Sequence, residues 1–249
     1  MIETVIHAAR EAGRILREGA SREIEVHHAG HRDVKLAMDK KAEAVILGIL
    51  QKAFPHFSVL SEECGRVGPS SEYLWVVDPL DGTMNFSRRV PLWGTSIALL
   101  RGDEPVLGVI YDPNLDELFR AEKGKGAFLN DRPVRVSDRS ELADSIVAYG
   151  FSSKDEYIER GAVAAGRVSR KVGKVRDLGS AVLHLTYVAC GRFDAFYEYG
   201  IHLWDVAAGT LMIQEAGGRV DQRTHADGAM DYASSNGRIH DELLREIEW

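Results

Sequence analysis

The stretch Tyr73-Leu74-Trp75-Val76-Val77-Asp78-Pro79-Leu80-Asp81-Gly82-Thr83 constrains this chain more than any other. Residues 73–77 form a short run of aromatic and β-branched apolar side chains, the pattern of a buried strand. The run ends on Asp78, and Asp81 follows three residues later. Pro79 has no N–H to give to a ladder, so pairing is expected to stop there. Two carboxylates at the mouth of a buried strand are costly unless a cation or hydrogen bonds compensate them. Gly82 lets backbone approach a ligand closely. A helical turn opening at Gly82 and Thr83 would aim its free N–H groups and positive dipole end at the same spot. Acids that favour a hard cation, beside amides that favour an anion, make a place for a metal-bound phosphate. The plainer alternative is an acidic strand-to-turn connection, since Asp-Gly is common in turns.

Two further stretches point the same way. Ser61-Glu62-Glu63 follows the apolar run Phe57-Ser58-Val59-Leu60 and again puts acids at a strand end. Trp204-Asp205-Val206-Ala207-Ala208-Gly209 places an acid just ahead of an apolar helical run. Three acidic element ends in one chain suggest convergence on one site. With Asn85-Phe86 and Glu215-Ala216-Gly217-Gly218, these motifs stand in an order and spacing that resembles the inositol monophosphatase family. These are Mg-dependent, lithium-sensitive phosphatases related to fructose-1,6-bisphosphatase. The resemblance covers nearly the whole chain.

The resemblance implies an α/β protein, a layered αβαβα sandwich in one compact unit. Its N-terminal α+β part (1–138) would carry the metal motif, and its C-terminal α/β part (139–249) Asp205 and the substrate pocket. By the same resemblance, Glu62, Asp78 and the Leu80 carbonyl hold one Mg²⁺. Asp78, Asp81 and Asp205 hold a second, so that Asp78 bridges, and a third, weaker ion sits near Glu62. Thr83, supported by Asp39, shares with Glu62 the task of orienting or deprotonating water. The Gly82 and Thr83 amides hold the phosphate. Gly179, Ser180, Ala181 and Glu198 line the substrate pocket, with Glu198 accepting hydrogen bonds from sugar-like hydroxyls. A homodimer is the family expectation. The chemistry of the residues agrees: Mg²⁺ takes carboxylate and carbonyl oxygens, and no His/Cys cluster points to zinc. The absence of a Cys-x5-Arg loop fits a mechanism without a covalent intermediate.

Composition narrows the class. A chain of 249 residues builds one large domain or two small ones sharing a core. A net charge of −7 argues against general nucleic-acid binding, and means that an anionic substrate needs a metal or a local basic patch. The two cysteines, Cys64 and Cys190, form neither a metal pattern nor a disulfide framework, so a reducing cytoplasm is the expectation. No apolar run reaches membrane-spanning length and no signal segment opens the chain.

Along the chain, periodicity predicts an amphipathic helix over 2–19, stopped by Gly19. Residues 21–38 are polar. Their histidines, His27, His28 and His31, read as a metal site or as an exposed loop, and no carboxylate or cysteine completes a ligand set. The resemblance implies a mobile lid here, whose Arg32 and Lys35 reach the phosphate. Leu36 and Met38 depart from the small polar residues usual in the family. Asp39 reads as an N-cap or first-turn acid of a helix over 42–53 that Pro55 ends. Strands are expected at 57–61, 73–77, 94–100, 106–111, 118–122 and 127–129, in an antiparallel sheet, with residues 65–69 as a loop and a hairpin at Asn130-Asp131-Arg132-Pro133. After a boundary at residues 137–140, strands at 145–149, 172–176 and 193–197 alternate with helices at 154–168, 180–189 and 206–216. Short strands at 219–221 and 232–233 and a helix at 241–247 follow. Glu63 reads as a metal-sphere acid or a solvated neighbour, Trp204 as packing, and His184 and His202 as packed structural histidines.

The leading functional reading is an inositol-1-phosphate phosphatase, with fructose 1,6-bisphosphate as a further candidate substrate. Histidinol phosphate and 3′-phosphoadenosine 5′-phosphate are alternatives; Asn85 stands where nucleotide-directed relatives usually carry Glu. The alternative of a different class is a catalytically silent regulatory protein on the same fold, which should have lost ligands.

Overall fold

The computed structural model describes residues 1–21, 26–29 and 34–249, without the side chains of 26–29, 34 and 35. The long amphipathic helix α1 (Ile2–Ala20) opens the chain. Gly19 does not stop it: a Cβ there would overlap the Met38 thioether, so the glycine permits close helix packing instead. The strands β1 (Val26–Ala29) and β2 (Val34–Leu36) pair antiparallel. The helix α2 (Ala37–Ala53) begins five residues earlier than periodicity predicts. Asp39 sits in its first turn and accepts a hydrogen bond from the Leu36 N–H (2.6 Å), which secures that earlier start. The side chains of His27, His28 and Lys35, and residues His31 and Arg32 altogether, lie outside what is described, so the lid expectation is left where the sequence put it.

An eight-stranded sheet follows. It comprises β3 (Ser58–Ser61), β4 (Gly65–Val67), β5 (Tyr73–Asp81), β6 (Gly94–Arg101), β7 (Glu104–Asp112), β8 (Glu117–Glu122), β9 (Ala127–Leu129) and β10 (Arg132–Val134). Its order is β10-β9-β8-β7-β6-β5-β3-β4. Residues 65–67 form an edge strand rather than part of a loop. The sheet is mixed rather than antiparallel throughout, because β3 and β5 run parallel (Ser58↔Leu74 to Ser61↔Val77). That pairing brings the two acidic strand ends to one edge. A short helix, α3 (Thr83–Ser87), sits directly after β5.

Pro79 does not end β5. The strand runs on to Asp81, and the register slips between Asp78↔Ser96 and Asp81↔Gly94, a bulge in which a residue without an N–H costs no ladder bond. The Thr95 hydroxyl donates to the Pro79 carbonyl (2.9 Å) and fixes the bulge.

The second half builds a five-stranded sheet from β11 (Ile146–Tyr149), β12 (Lys174–Arg176), β13 (Ala195–Ile201), β14 (Arg219–Thr224) and β15 (Met230–Ser235), in the order β12-β11-β13-β15-β14. Its helices are α4 (Asp155–Val168), α5 (Ala181–Ala189), α6 (Leu203–Glu215) and α7 (His240–Glu246). The apolar helices α5 and α6 lie between the sheets: α6 packs on β5 to β8 on one side and on β14 and β15 on the other. Helices α1 and α2 cover the outer face of the first sheet, and α4 and α7 that of the second. The layers run α, β, α, β, α. Two observations mark how tightly the middle layer fits: a Cβ at Gly108 would stand 3.0 Å from Ala208 of α6, and one at Gly209 would overlap Leu185 of α5. No helix of the described residues is long and apolar enough to cross a membrane.

Candidate active site

Asp78 is 1 % exposed, and its carboxylate accepts the Leu80 N–H (3.0 Å) across the bulge. The Leu80 carbonyl in turn accepts the Thr83 hydroxyl (2.9 Å). Gly82, with φ +87, makes the turn into α3. A Cβ there would fall 2.8 Å from the Leu92 carbonyl oxygen and 3.1 Å from Trp93 Cβ, so both conformation and space require glycine. Gly82→Ala is therefore expected to lower stability by at least about 2 kcal/mol. Thermal denaturation of the purified variant measures this.

Glu62 arrives beside Asp78 because β3 is parallel to β5: its N–H donates to the Val77 carbonyl (3.2 Å), the residue before Asp78. Glu62 and Asp78 stand close enough that each perturbs the other's ionisation. A residue that the sequence reading missed holds Glu62 from behind. Glu43, buried on α2, accepts the Ser61 hydroxyl (2.5 Å) and the Cys64 N–H (3.0 Å), bracketing Glu62 and Glu63. The available signal was an acid four residues after Asp39, interrupting the apolar face of α2. Glu43→Gln is expected to loosen the Glu62 turn; thermal denaturation of the variant with and without added divalent cation separates a displaced Glu62 from a weakened fold.

Asp205 comes from the far sheet's helix. It stands in the first turn of α6, which begins at Leu203 rather than after the acid, and accepts the His202 N–H (2.9 Å). Asp81 accepts the Ser180 hydroxyl and the Val182 N–H (3.2 Å), so the start of α5 orients it. Asp78, Asp81 and Asp205 each offer a carboxylate oxygen within 4.8 Å of the others. Asp39 lies near enough to add its charge to that acting on Glu62.

Beside these acids opens a cavity of ≈ 300 Å³. Asp81, Asp205, Gly179, Ser180, Ala181 and Glu198 line it, with Met84, Gly150, Phe151, Asp177, His184 and Ile201. Glu198 is a mid-strand residue, because β13 extends to Ile201, and it points into the cavity rather than capping a strand end. The Asn85 amide donates to the carbonyls of Leu92 (2.8 Å) and Leu178 (2.7 Å), tying α3 to the 177–180 loop. His184 is buried, accepts the Leu178 N–H through Nε2 (2.8 Å) and packs on Phe196; burial lowers its pKa to about 3, so it stays neutral. His202 stacks on Trp204.

A model of the inositol monophosphatase family matches residues 1–247. The chain belongs to the inositol monophosphatase family. It is 41% identical to inositol-1-monophosphatase of Mesorhizobium japonicum, over 100% of this chain and 96% of that protein. It is 38% identical to the Nus factor SuhB of Escherichia coli, over 99% and 95%. Among solved structures, the extragenic suppressor protein SuhB of Bartonella henselae superposes with a TM-score of 0.92 at 38% identity, covering 99% of this chain and 97% of that one. The inositol monophosphatase of Anabaena gives 0.88 at 39%, over 99% and 94%.

In this inositol monophosphatase family member the acids are under electrostatic load. Burial, then the charges of Glu62, Asp81 and Asp205, hold the Asp78 carboxyl well above the ordinary range. Burial, then Asp81 and Glu62, do the same to Asp205. Glu62 is pushed up to about 7 by burial and by Glu63, and Asp81 to about 6 by burial, against which the Ser180 hydroxyl and the Val182 N–H act. Converging oxygen ligands that resist ionisation are what a divalent cation relieves. The donor set is all oxygen, so the residues fit Mg²⁺.

Proposed function

We propose that this chain is a Mg²⁺-dependent phosphomonoesterase acting on a small phosphorylated polyol, inositol 1-phosphate in particular, with water as the nucleophile. The observation that carries the reading is the convergence of Asp78, Asp81 and Asp205 within 4.8 Å, with Glu62 held beside them through the Val77 carbonyl, at the edge of a ligand-sized cavity. Glu62, Asp78 and the Leu80 carbonyl would hold one ion, and Asp78, Asp81 and Asp205 another; a third would lie beside Glu62. Bound cations supply charge neutralisation for the phosphate and lower the pKa of a coordinated water.

The chain's own residues do the rest. Glu62 takes the proton of the attacking water, and the Thr83 hydroxyl orients that water. Asp39 acts from the second side by holding the β2–α2 junction against the site. The N–H groups of Gly82 and Thr83, at the start of α3, bind the phosphate oxygens. Ser180 keeps Asp81 in its orientation. Glu198 accepts hydrogen bonds from the hydroxyls of the alcohol portion, and Gly179 and Ala181 shape the wall. The family expectations of a homodimer and of lithium inhibition go with this reading; light scattering and a LiCl titration check them.

A non-catalytic role has one observation in its favour, the relatives named Nus factor SuhB. The retained acid set supports hydrolysis instead. The test is phosphate release with Mg²⁺ from inositol 1-phosphate, fructose 1,6-bisphosphate, histidinol phosphate and 3′-phosphoadenosine 5′-phosphate side by side. Inositol 1-phosphate is expected to turn over fastest; failure of all four favours the non-catalytic role.

A further inference from the structure

The cavity beside the acid cluster carries a second acidic feature with no place in the hydrolytic step. Asp177 lines this cavity together with Glu198, whereas Asp78 and Glu62 do not. Among the described residues only the Gly179 N–H donates to the Asp177 carboxylate (2.8 Å), which leaves most of its acceptor capacity open to them. No hydrogen bond from a described residue reaches the Glu198 carboxyl; burial and the charges of Asp81 and Asp177 all act against its ionisation. Gly150 is what admits Glu198 to the cavity, since a Cβ there would overlap the Glu198 carboxylate. Among the described residues of the wall none is Lys or Arg. The alcohol portion of a bound ester thus meets two hydrogen-bond acceptors that nothing described neutralises.

We propose that Asp177, acting with Glu198, is a specificity-determining residue that selects monoesters whose alcohol portion offers hydrogen-bond donors and excludes esters carrying a second phosphate. The inference rests on the phosphatase reading above and deepens it. A polyol satisfies both carboxylates with its hydroxyls. A second phosphate brings acceptors and negative charge, offers no donor to the Asp177 carboxylate, and meets no Lys or Arg among the described residues lining the cavity. An unpaired buried acceptor rejects a mismatched ligand more strongly than a missing apolar contact does.

The experiment measures kcat/KM with Mg²⁺ on inositol 1-phosphate and on fructose 1,6-bisphosphate, for the wild type, Asp177→Asn and Glu198→Gln. Hydrolysis of p-nitrophenyl phosphate by the wild type is the control. Asparagine keeps an oxygen for the Gly179 N–H, so the loop retains its turn. The wild type is expected to prefer inositol 1-phosphate by at least about a hundredfold. Asp177→Asn is expected to shrink that preference about tenfold, with the inositol 1-phosphate change in KM rather than kcat. Glu198→Gln, a second variant that leaves the Asp177 turn itself unchanged, is expected to move it in the same direction. A wild type that hydrolyses p-nitrophenyl phosphate yet treats the two substrates alike overturns the inference and leaves the phosphatase reading standing. So does a preference that neither variant shifts. A wild type inert toward all three substrates overturns the phosphatase reading, and this inference with it.

Discussion

Asp78→Asn is expected to lower kcat/KM for phosphate release by at least about a thousandfold and, at the same time, to raise the melting temperature of the metal-free protein. Both effects come from one atom. Asp78 is the acid that Glu62, Asp81 and Asp205 all surround, and its carboxyl is held well above the ordinary range by burial and by those three neighbours. Asparagine removes a charge that the metal-free fold tolerates poorly but the loaded site requires. It keeps the oxygen that accepts the Leu80 N–H, so the bulge survives. The stabilisation at pH 8 is expected to be several degrees, a degree count consistent with roughly 1–2 kcal/mol in a chain of this size. Loss of activity accompanied by loss of stability would instead assign Asp78 a purely structural role.

The second large effect is a pH dependence of metal-free stability that divalent ions erase. Glu62 and Asp81 have folded-state pKa values of about 7 and about 6, above the ordinary carboxylate values near 4 that they take when unfolded. The folded state therefore binds more protons than the unfolded one between pH 4 and 7. The stability that this provides is fully present below about pH 4 and is lost as pH rises through 6 and 7. In chelator, the melting temperature is expected to fall by roughly 5–10 °C between pH 5 and pH 8, after discounting for the partial exposure of both groups. Saturating Mg²⁺ is expected to raise it, and by more at pH 8 than at pH 5, because ions bind the ionised carboxylates. Differential scanning calorimetry across that range, with and without Mg²⁺, tests the sign. A melting temperature that rises with pH in chelator would contradict it.

Much of the layer order was legible because its signals are local. The aromatic and β-branched run at 73–77 needs no partner to read as a strand, and the apolar faces of α5 and α6 announce buried helices. The acids at 62, 78, 81 and 205 stand out because each interrupts or ends an apolar segment. What was not legible depends on contacts distant in sequence. The continuation of β5 past Pro79 requires Thr95 and Gly94 across the sheet. The parallel pairing of β3 with β5 is a choice of topology that neither strand's pattern expresses. Glu43 interrupts the apolar face of α2, but only its bonds to Ser61 and Cys64, distant in sequence, tie it to the acid cluster. Asp177 sits in a polar loop, and only the cavity gives it meaning. Asn85 enters a sequence comparison as a marker of substrate class, whereas its amide is a donor to two carbonyls that a glutamate could not serve.

The central claim is that the Asp78, Asp81, Asp205 and Glu62 cluster is a divalent-metal centre that drives phosphate ester hydrolysis. It is tested most directly by stripping the protein with chelator and following phosphate release from inositol 1-phosphate as Mg²⁺ is returned. The expected result is no turnover in chelator, a saturable recovery with Mg²⁺, and no recovery in Asp78→Asn. Turnover at an undiminished rate in excess chelator would contradict the account.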